Sequence, residues 1–181
     1  MMENNRKLIV YIAASIDGFI AKPNDDLSFL STVEKVGEDY GYADFIATID
    51  TVIVGRKTYD WVLQHAAFPH ADKQTFVITH TPRPAEGNIQ FYNGDMVALI
   101  QRLKSSPGKH IFCDGGAAIV NLLLQYDLID ELIISVIPIL LGNGTRLFAT
   151  DRPEQLYSLI SSQSFDTGLV QLKYERKRQN G

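Results

Sequence analysis

A chain of 181 residues, 45% hydrophobic and 21% charged, has the make-up of a globular protein with a substantial core, and it reads as a single domain over residues 1–181. Its net charge of −4 argues against general nucleic-acid binding, which needs a basic face to neutralise phosphates. The lone cysteine, Cys113, excludes an internal disulfide and a cysteine-based zinc site, and no metal site is expected.

The polar start over residues 1–7 leads into an apolar run without an export-type cleavage region. No apolar run is long enough to span a bilayer, so no membrane partner is expected and the expected compartment is the cytoplasm. Residues 8–14 are continuously apolar, the mark of a central parallel strand covered on both faces. Asp17-Gly18 turns the chain, and Phe19-Ile20-Ala21 begins a short extended return. Over residues 31–49, Val33, Val36, Tyr40, Phe45 and Ile49 fall near helical spacing, which predicts a helix that Gly37 and Gly41 weaken. A strand follows at 51–55, a short helix near 58–64 and a loop at 66–73.

The second half repeats the alternation. Residues 75–79 and 89–92 read as strands, and Asp95 caps a helix through Met96, Leu99, Ile100 and Leu103 that ends at Ser105-Ser106-Pro107-Gly108. Residues 110–113 form the next strand, with Cys113 inside it as a small buried hydrophobe. Residues 117–125 carry Ile119, Val120, Leu122 and Leu123 on a broad apolar helical face. A strand at 131–137 stops at Pro138, and Leu141-Gly142-Asn143-Gly144 reads as a loop. Residues 157–165 and 170–176, joined around Asp166-Thr167-Gly168, predict a terminal hairpin. The result is an α/β fold, a mostly parallel central sheet of about eight strands flanked by helices, with a C-terminal antiparallel hairpin.

Three strand ends carry the functional signal. Cys113-Asp114-Gly115-Gly116 runs straight into a helix, so the N–H groups of Ala117 and Ala118 meet a ligand with a helix dipole behind them, which suits a phosphate. Gly55-Arg56-Lys57-Thr58 places a close-approach glycine beside two cations and a hydroxyl. Thr79-His80-Thr81 offers donors to a further phosphate. Each piece also has an ordinary reading: a glycine pair makes tight turns, Thr58 is a plain N-cap, and His80 is a loop histidine. Together they point to a nucleotide laid across the edge of a parallel sheet.

In this order the motifs resemble dihydrofolate reductase, and more closely the reductase domain of the bifunctional riboflavin-biosynthesis deaminase/reductase and its stand-alone relatives. That subgroup is similar at Ser15-Ile16-Asp17-Gly18-Phe19-Ile20-Ala21, Asp114-Gly115-Gly116, Leu128-Ile129-Asp130-Glu131-Leu132, and the stretch from Pro138 through Gly142-Asn143-Gly144-Thr145-Arg146 to Phe148, over a core of about residues 7–176. The resemblance implies a dihydrofolate reductase-like fold, an NADPH-dependent oxidoreductase, a homodimer, and a cis peptide between Gly115 and Gly116. Ala14, at the end of the first strand, joins Gly55, Arg56, Lys57, Thr58, Thr79, His80, Thr81, Gly115, Gly116, Ala117 and Ala118 as the expected NADPH-binding set.

Hydride transfer needs alignment and a proton donor. The expected catalytic residues are Asp114, at a strand's carboxyl end where ligands of open α/β sheets collect, Asp17, in a loop 15–21 expected to lie over the nicotinamide as a lid, and Asp39, on the predicted helix. Asp39 also reads as the solvated face of that helix and Asp17-Gly18 as a plain turn. The reaction that the resemblance implies is that of a 5-amino-6-(5-phosphoribosylamino)uracil reductase. The alternatives are a pterin, dihydrofolate-type or other small-molecule reductase, and a non-catalytic NADP-binding protein. Arg146 is the one cation suggested for a substrate phosphate, and it reads equally as a surface charge.

Overall fold

The computed structural model describes residues 5–178. At its centre lies β1 (Leu8–Ser15), whose Leu8, Ile9 and Val10 are buried as the unbroken apolar run requires. β1 pairs in parallel with β6 (His110–Gly115) on one side and β7 (Glu131–Ile137) on the other. Outward from β6 follow β3 (Ile49–Gly55), β4 (Gln74–Ile78) and β5 (Ile89–Tyr92), all parallel. Outward from β7 the sheet turns antiparallel through β10 (Val170–Arg176) to the edge strand β9 (Tyr157–Ser164), the expected hairpin. The eight strands stand in the order β5-β4-β3-β6-β1-β7-β10-β9, a mostly parallel sheet with the expected antiparallel end.

Alternation along the strands sends side chains to two layers. Val10, Ile53, Ile111 and Cys113 pack under α3 (Met96–Ser105) and α4 (Ala117–Gln125). Ile9, Val52 and Phe112 pack under the short α1 (Tyr42–Ala47), and Val54 and Val77 with Tyr59 of α2 (Arg56–His65). Asp95 caps α3 as expected, its carboxylate accepting from the Ala98 N–H at 2.9 Å, a cap worth about 1 kcal/mol. Cys113 is buried, and desolvation pushes its thiol up to about 12.

One expectation changes and two are refined. The helix expected over 31–49 does not form: a 3-10 turn at Ser28–Val33 gives way to a loop, and only Tyr42–Ala47 is α-helical. Gly37 and Gly41 at φ +80° and Tyr40 at +56° adopt the left-handed backbone that a right-handed helix cannot contain, and Val36 is left fully exposed. The loop expected around 141–144 leads into a two-residue strand, β8 (Thr145–Arg146), which pairs with β2 (Phe19–Ala21). The apolar run 133–137, which by its sequence suits either a core strand or a contact surface between two copies, lies between β1 and β10 and is internal to the sheet. No helix among the described residues is long and apolar enough to cross a membrane.

Candidate functional site

The carboxyl ends of β3 and β6 lie side by side, and two helices start from them. Gly55 is the N-cap of α2 and Gly116 the N-cap of α4, and neither helix start is capped by a side chain. Ile119 and Val120 both donate to the Gly116 carbonyl, so the N–H groups of Ala117 and Ala118 head the helix without an intrahelical acceptor. The Gly115-Gly116 peptide is cis, as the resemblance implies, and Gly115 has φ +91°. A Cβ on Gly116 would stand 3.0 Å from Thr58 Oγ1, and one on Gly55 would stand 3.0 Å from Ile119 Cγ1 and 3.6 Å from the Gly116 nitrogen. A side chain at either glycine would crowd this junction of the two strand ends. Two helix dipoles and a hydroxyl converge on it, which is the chemistry of an anion cradle.

Cations flank the cradle. Arg56 is tied to Asp60 one turn on, at 2.9 Å, and Arg83 reaches the same carboxylate at 3.0 Å, so one acid answers two guanidinium groups. Lys57 is exposed. Arg83, absent from the expected set, also lies over the Phe91 ring at 5.2 Å. Thr79 follows β4 and is buried; its hydroxyl accepts from the Thr81 N–H at 3.1 Å and closes the turn that leaves His80 and Thr81 exposed. Ala14 is buried in β1, paired with Val136.

Beside the cradle, Asp114 points to the α1 layer, following the parity of Phe112. Its carboxylate lies 3.6 Å from Nε2 of His70, which is 3% exposed and wedged edge-on between Phe68 and Phe112. The Tyr42 hydroxyl meets the same Nε2 at 3.4 Å. Burial, reinforced by the Asp114 charge, pushes the Tyr42 phenol up to about 12. Tyr42 in turn lines a cleft of about 560 Å³, walled by Tyr11, Ala13, Tyr40, Ser135 and Ile137 and rimmed by residues 30–39. Gln171 ties three of these lining residues together, its Nε2 sharing two N–H groups among the Tyr11 hydroxyl at 3.0 Å, the Tyr40 carbonyl at 3.1 Å and Ser135 Oγ at 3.1 Å. Burial raises the Tyr11 phenol, and the Asp39 charge adds to it.

Asp39 is placed differently from expectation, and Asp17 stands in the expected turn. Asp39 lies on no helix: it precedes α1 and accepts from the N–H groups of Gly41 at 2.9 Å and Ala43 at 3.0 Å, which lowers its carboxyl. Asp17 accepts from the Ser15 hydroxyl at 2.6 Å and from the N–H groups of Leu141 at 3.0 Å and Gly142 at 2.7 Å, and these bonds hold it down at about 2. The loop 15–21 is strapped to the segment after β7. Ile16 N–H donates to the Ile139 carbonyl, Leu147 N–H to that of Gly18, and β2 pairs with β8. Arg146 is exposed, over the Phe19 ring at 4.7 Å.

The family model of the RibD C-terminal domain matches residues 6–171. The chain belongs to that family. Within it, this RibD-type domain is 41% identical to the uncharacterized protein YwjB of Bacillus subtilis, over 94% of this chain and 98% of that one. It also matches the crystal structure of a putative riboflavin biosynthesis protein from Shewanella sp. PV-4, with TM-score 0.87 and 32% identity over 95% of this chain and 99% of that one. A dihydrofolate reductase from Enterococcus faecalis, complexed with NADP(H), shares the fold at TM-score 0.64 and 18% identity over 97% and 98% of the two chains. These matches make the domain reductase-like.

Sequence reasoning missed His70, Tyr42, Tyr11 and Gln171. Tyr11 carried a signal, as the one hydroxyl in the otherwise apolar run 8–14. His70 carried none: it stands in a segment read as loop, 44 residues from Asp114.

Proposed function

We propose that this RibD-type domain is an NADPH-dependent reductase of a small heterocyclic substrate. The observation that carries the reading is the crevice at Gly55, Thr58 and Gly116, which a side chain at either glycine would crowd and which two uncapped helices head. Those residues, with the N–H groups of Ala117 and Ala118, would hold the pyrophosphate. Arg56, Lys57, Arg83 and the 79–81 turn would hold the extra phosphate that distinguishes NADPH from NADH. The chemistry such a cofactor supplies when bound is a hydride.

The chain's own residues do the rest. Ala14, small and at the end of the central strand, leaves room against the sheet. Asp114 leads from the cradle through His70 to Tyr42 and the cleft, and it is the group placed to hold or pass a proton there. Tyr42 keeps its proton at neutral pH and acts as a donor. Asp39 has both carboxylate oxygens engaged by backbone N–H groups, so Asp114 is the better candidate for the proton. Asp17 fixes the end of β1 against the loop after β7.

The proposed assembly is a homodimer. Its support is the edge strand β9 and the residue before it, where Leu156, Leu159 and Ile160 are 64%, 55% and 51% exposed. The reductase reading is tested by following NADPH absorbance with a panel of aminopyrimidines and pterins. Oxidation coupled to reduction of one of them is expected; cofactor binding with no turnover on any would leave the NADP-binding protein.

A further inference from the structure

The cleft beside Asp114 differs in charge from the cradle next to it. Among the described residues that line it, the acids are Glu34, Glu38 and Asp39, and Lys35 is the only cation. Lys35 is itself held by Asp166 at 2.5 Å, so it adds no free positive charge. Asp39 is ionised at neutral pH, its carboxyl lowered by the N–H groups of Ala43 and Gly41. The inner wall is aromatic: Tyr11, Tyr40 and Tyr42 line it, and Tyr11 and Tyr42 meet edge to face at 5.6 Å. Rings of this kind take planar, uncharged or cationic groups against their faces.

A phosphate brings a charge of about −1.5 to −2 at neutral pH and asks for arginine or lysine partners. The same molecule supplies a surplus elsewhere: Arg56 and Arg83 share the one carboxylate of Asp60, and Lys57 stands exposed next to Arg56. Among the described residues that line the cleft no such set exists, and Arg146, the one cation suggested for this purpose, is exposed on β8 over Phe19. A phosphorylated tail leaving the cleft would pass Glu34, Glu38 and Asp39 with nothing to offset the repulsion.

We infer that the substrate of this domain is a planar heterocycle that carries no phosphate, uncharged or cationic, selected by the acidic rim and tyrosine wall of the cleft. The inference rests on the reading of the cradle and cleft as a reductase site, and it narrows the substrate away from phosphoribosyl compounds.

The test titrates the full chain by calorimetry under anaerobic conditions. The first titrant is NADP⁺ alone. Next come 5-amino-6-(5-phosphoribosylamino)uracil and its dephosphorylated counterpart, each added to the NADP⁺-saturated chain and to the chain alone. The dephosphorylated compound is expected to bind at least about tenfold tighter, and Glu34→Lys is expected to narrow that ratio by about threefold or more, as a change of sign at the rim demands. Equal or tighter binding of the phosphorylated compound overturns the inference. So does the absence of binding by both, since the cleft is then not a ring site. Failure of NADP⁺ to bind counts against the reductase reading, while the pair titrated into the chain alone still decides the charge preference.

Discussion

Gly116 stands so close to Thr58 that a Cβ would lie 3.0 Å from the threonine hydroxyl. Its backbone is extended at φ −73°, which any residue adopts, so the restriction is one of space and not of backbone strain. Gly116→Val is therefore expected to fold, with a melting temperature within a few degrees of the parent, and to lose cofactor affinity by at least about tenfold because the branched side chain fills the crevice. Calorimetric titration with NADPH reads this directly. Undiminished affinity in a folded variant would remove the cradle from the site.

The strap at Asp17 predicts a pH signature. Its carboxyl is lowered from 3.8 to about 2 by the Ser15 hydroxyl and by two backbone N–H groups from the far loop. A lowered folded-state value stabilises the fold above 3.8 and loses that contribution as pH falls through about 2. Asp17→Asn should melt earlier than the parent at neutral pH and show a flatter loss of stability across that acid window. Superimposable melting profiles from neutral to acid pH would mean that the carboxylate holds nothing together.

Asp114→Asn keeps the shape of the side chain and removes its ability to hold a proton. General acid–base groups contribute about 10²–10⁴ in rate, so kcat on a substrate the parent reduces should fall at least about tenfold while the NADPH dissociation constant stays within about twofold. Steady-state kinetics paired with a binding titration separates the two effects. An unchanged kcat would return the proton to Asp39 or to solvent.

The exposed apolar side chains of β9 predict a mass near twice the 20.3 kDa of one chain by light scattering at micromolar concentration. Leu159→Lys combined with Ile160→Lys should return it to one. A monomeric parent would show that this edge is simply open.

Most of the sheet was legible because its parallel strands are short apolar runs punctuated by turn residues, Gly55 ending β3, Gly115 ending β6 and Pro138 following β7. Residues 8–14, 131–137 and the hairpin at 170–176 fell where expected. Residues 31–49 misled because Val33, Tyr40 and Phe45 keep helical spacing while Gly37, Tyr40 and Gly41 turn the backbone left-handed. The two helix starts were visible as Gly55-Arg56 and Gly115-Gly116, since a glycine at a strand-to-helix junction is a local feature. The Asp114–His70–Tyr42 cluster was not, because it joins three segments whose proximity only the sheet order creates. Asp17 shows the same limit: an Asp-Gly turn looks local, yet two of its three partners are more than a hundred residues away.

The central claim, that the crevice between α2 and α4 holds the phosphates of NADPH, has an optical reporter built in. The chain's single tryptophan, Trp61, lies on α2 one turn after Thr58. Titrating its fluorescence with NADPH and with NADH measures both occupancy and selectivity. The expected result is saturable quenching by NADPH with at least about tenfold weaker binding of NADH, since each lost charge-assisted bond costs about 1.5–3 kcal/mol, and Arg56→Ala should close most of that gap. Equal affinity for the two cofactors, or no saturable change with either, would contradict it.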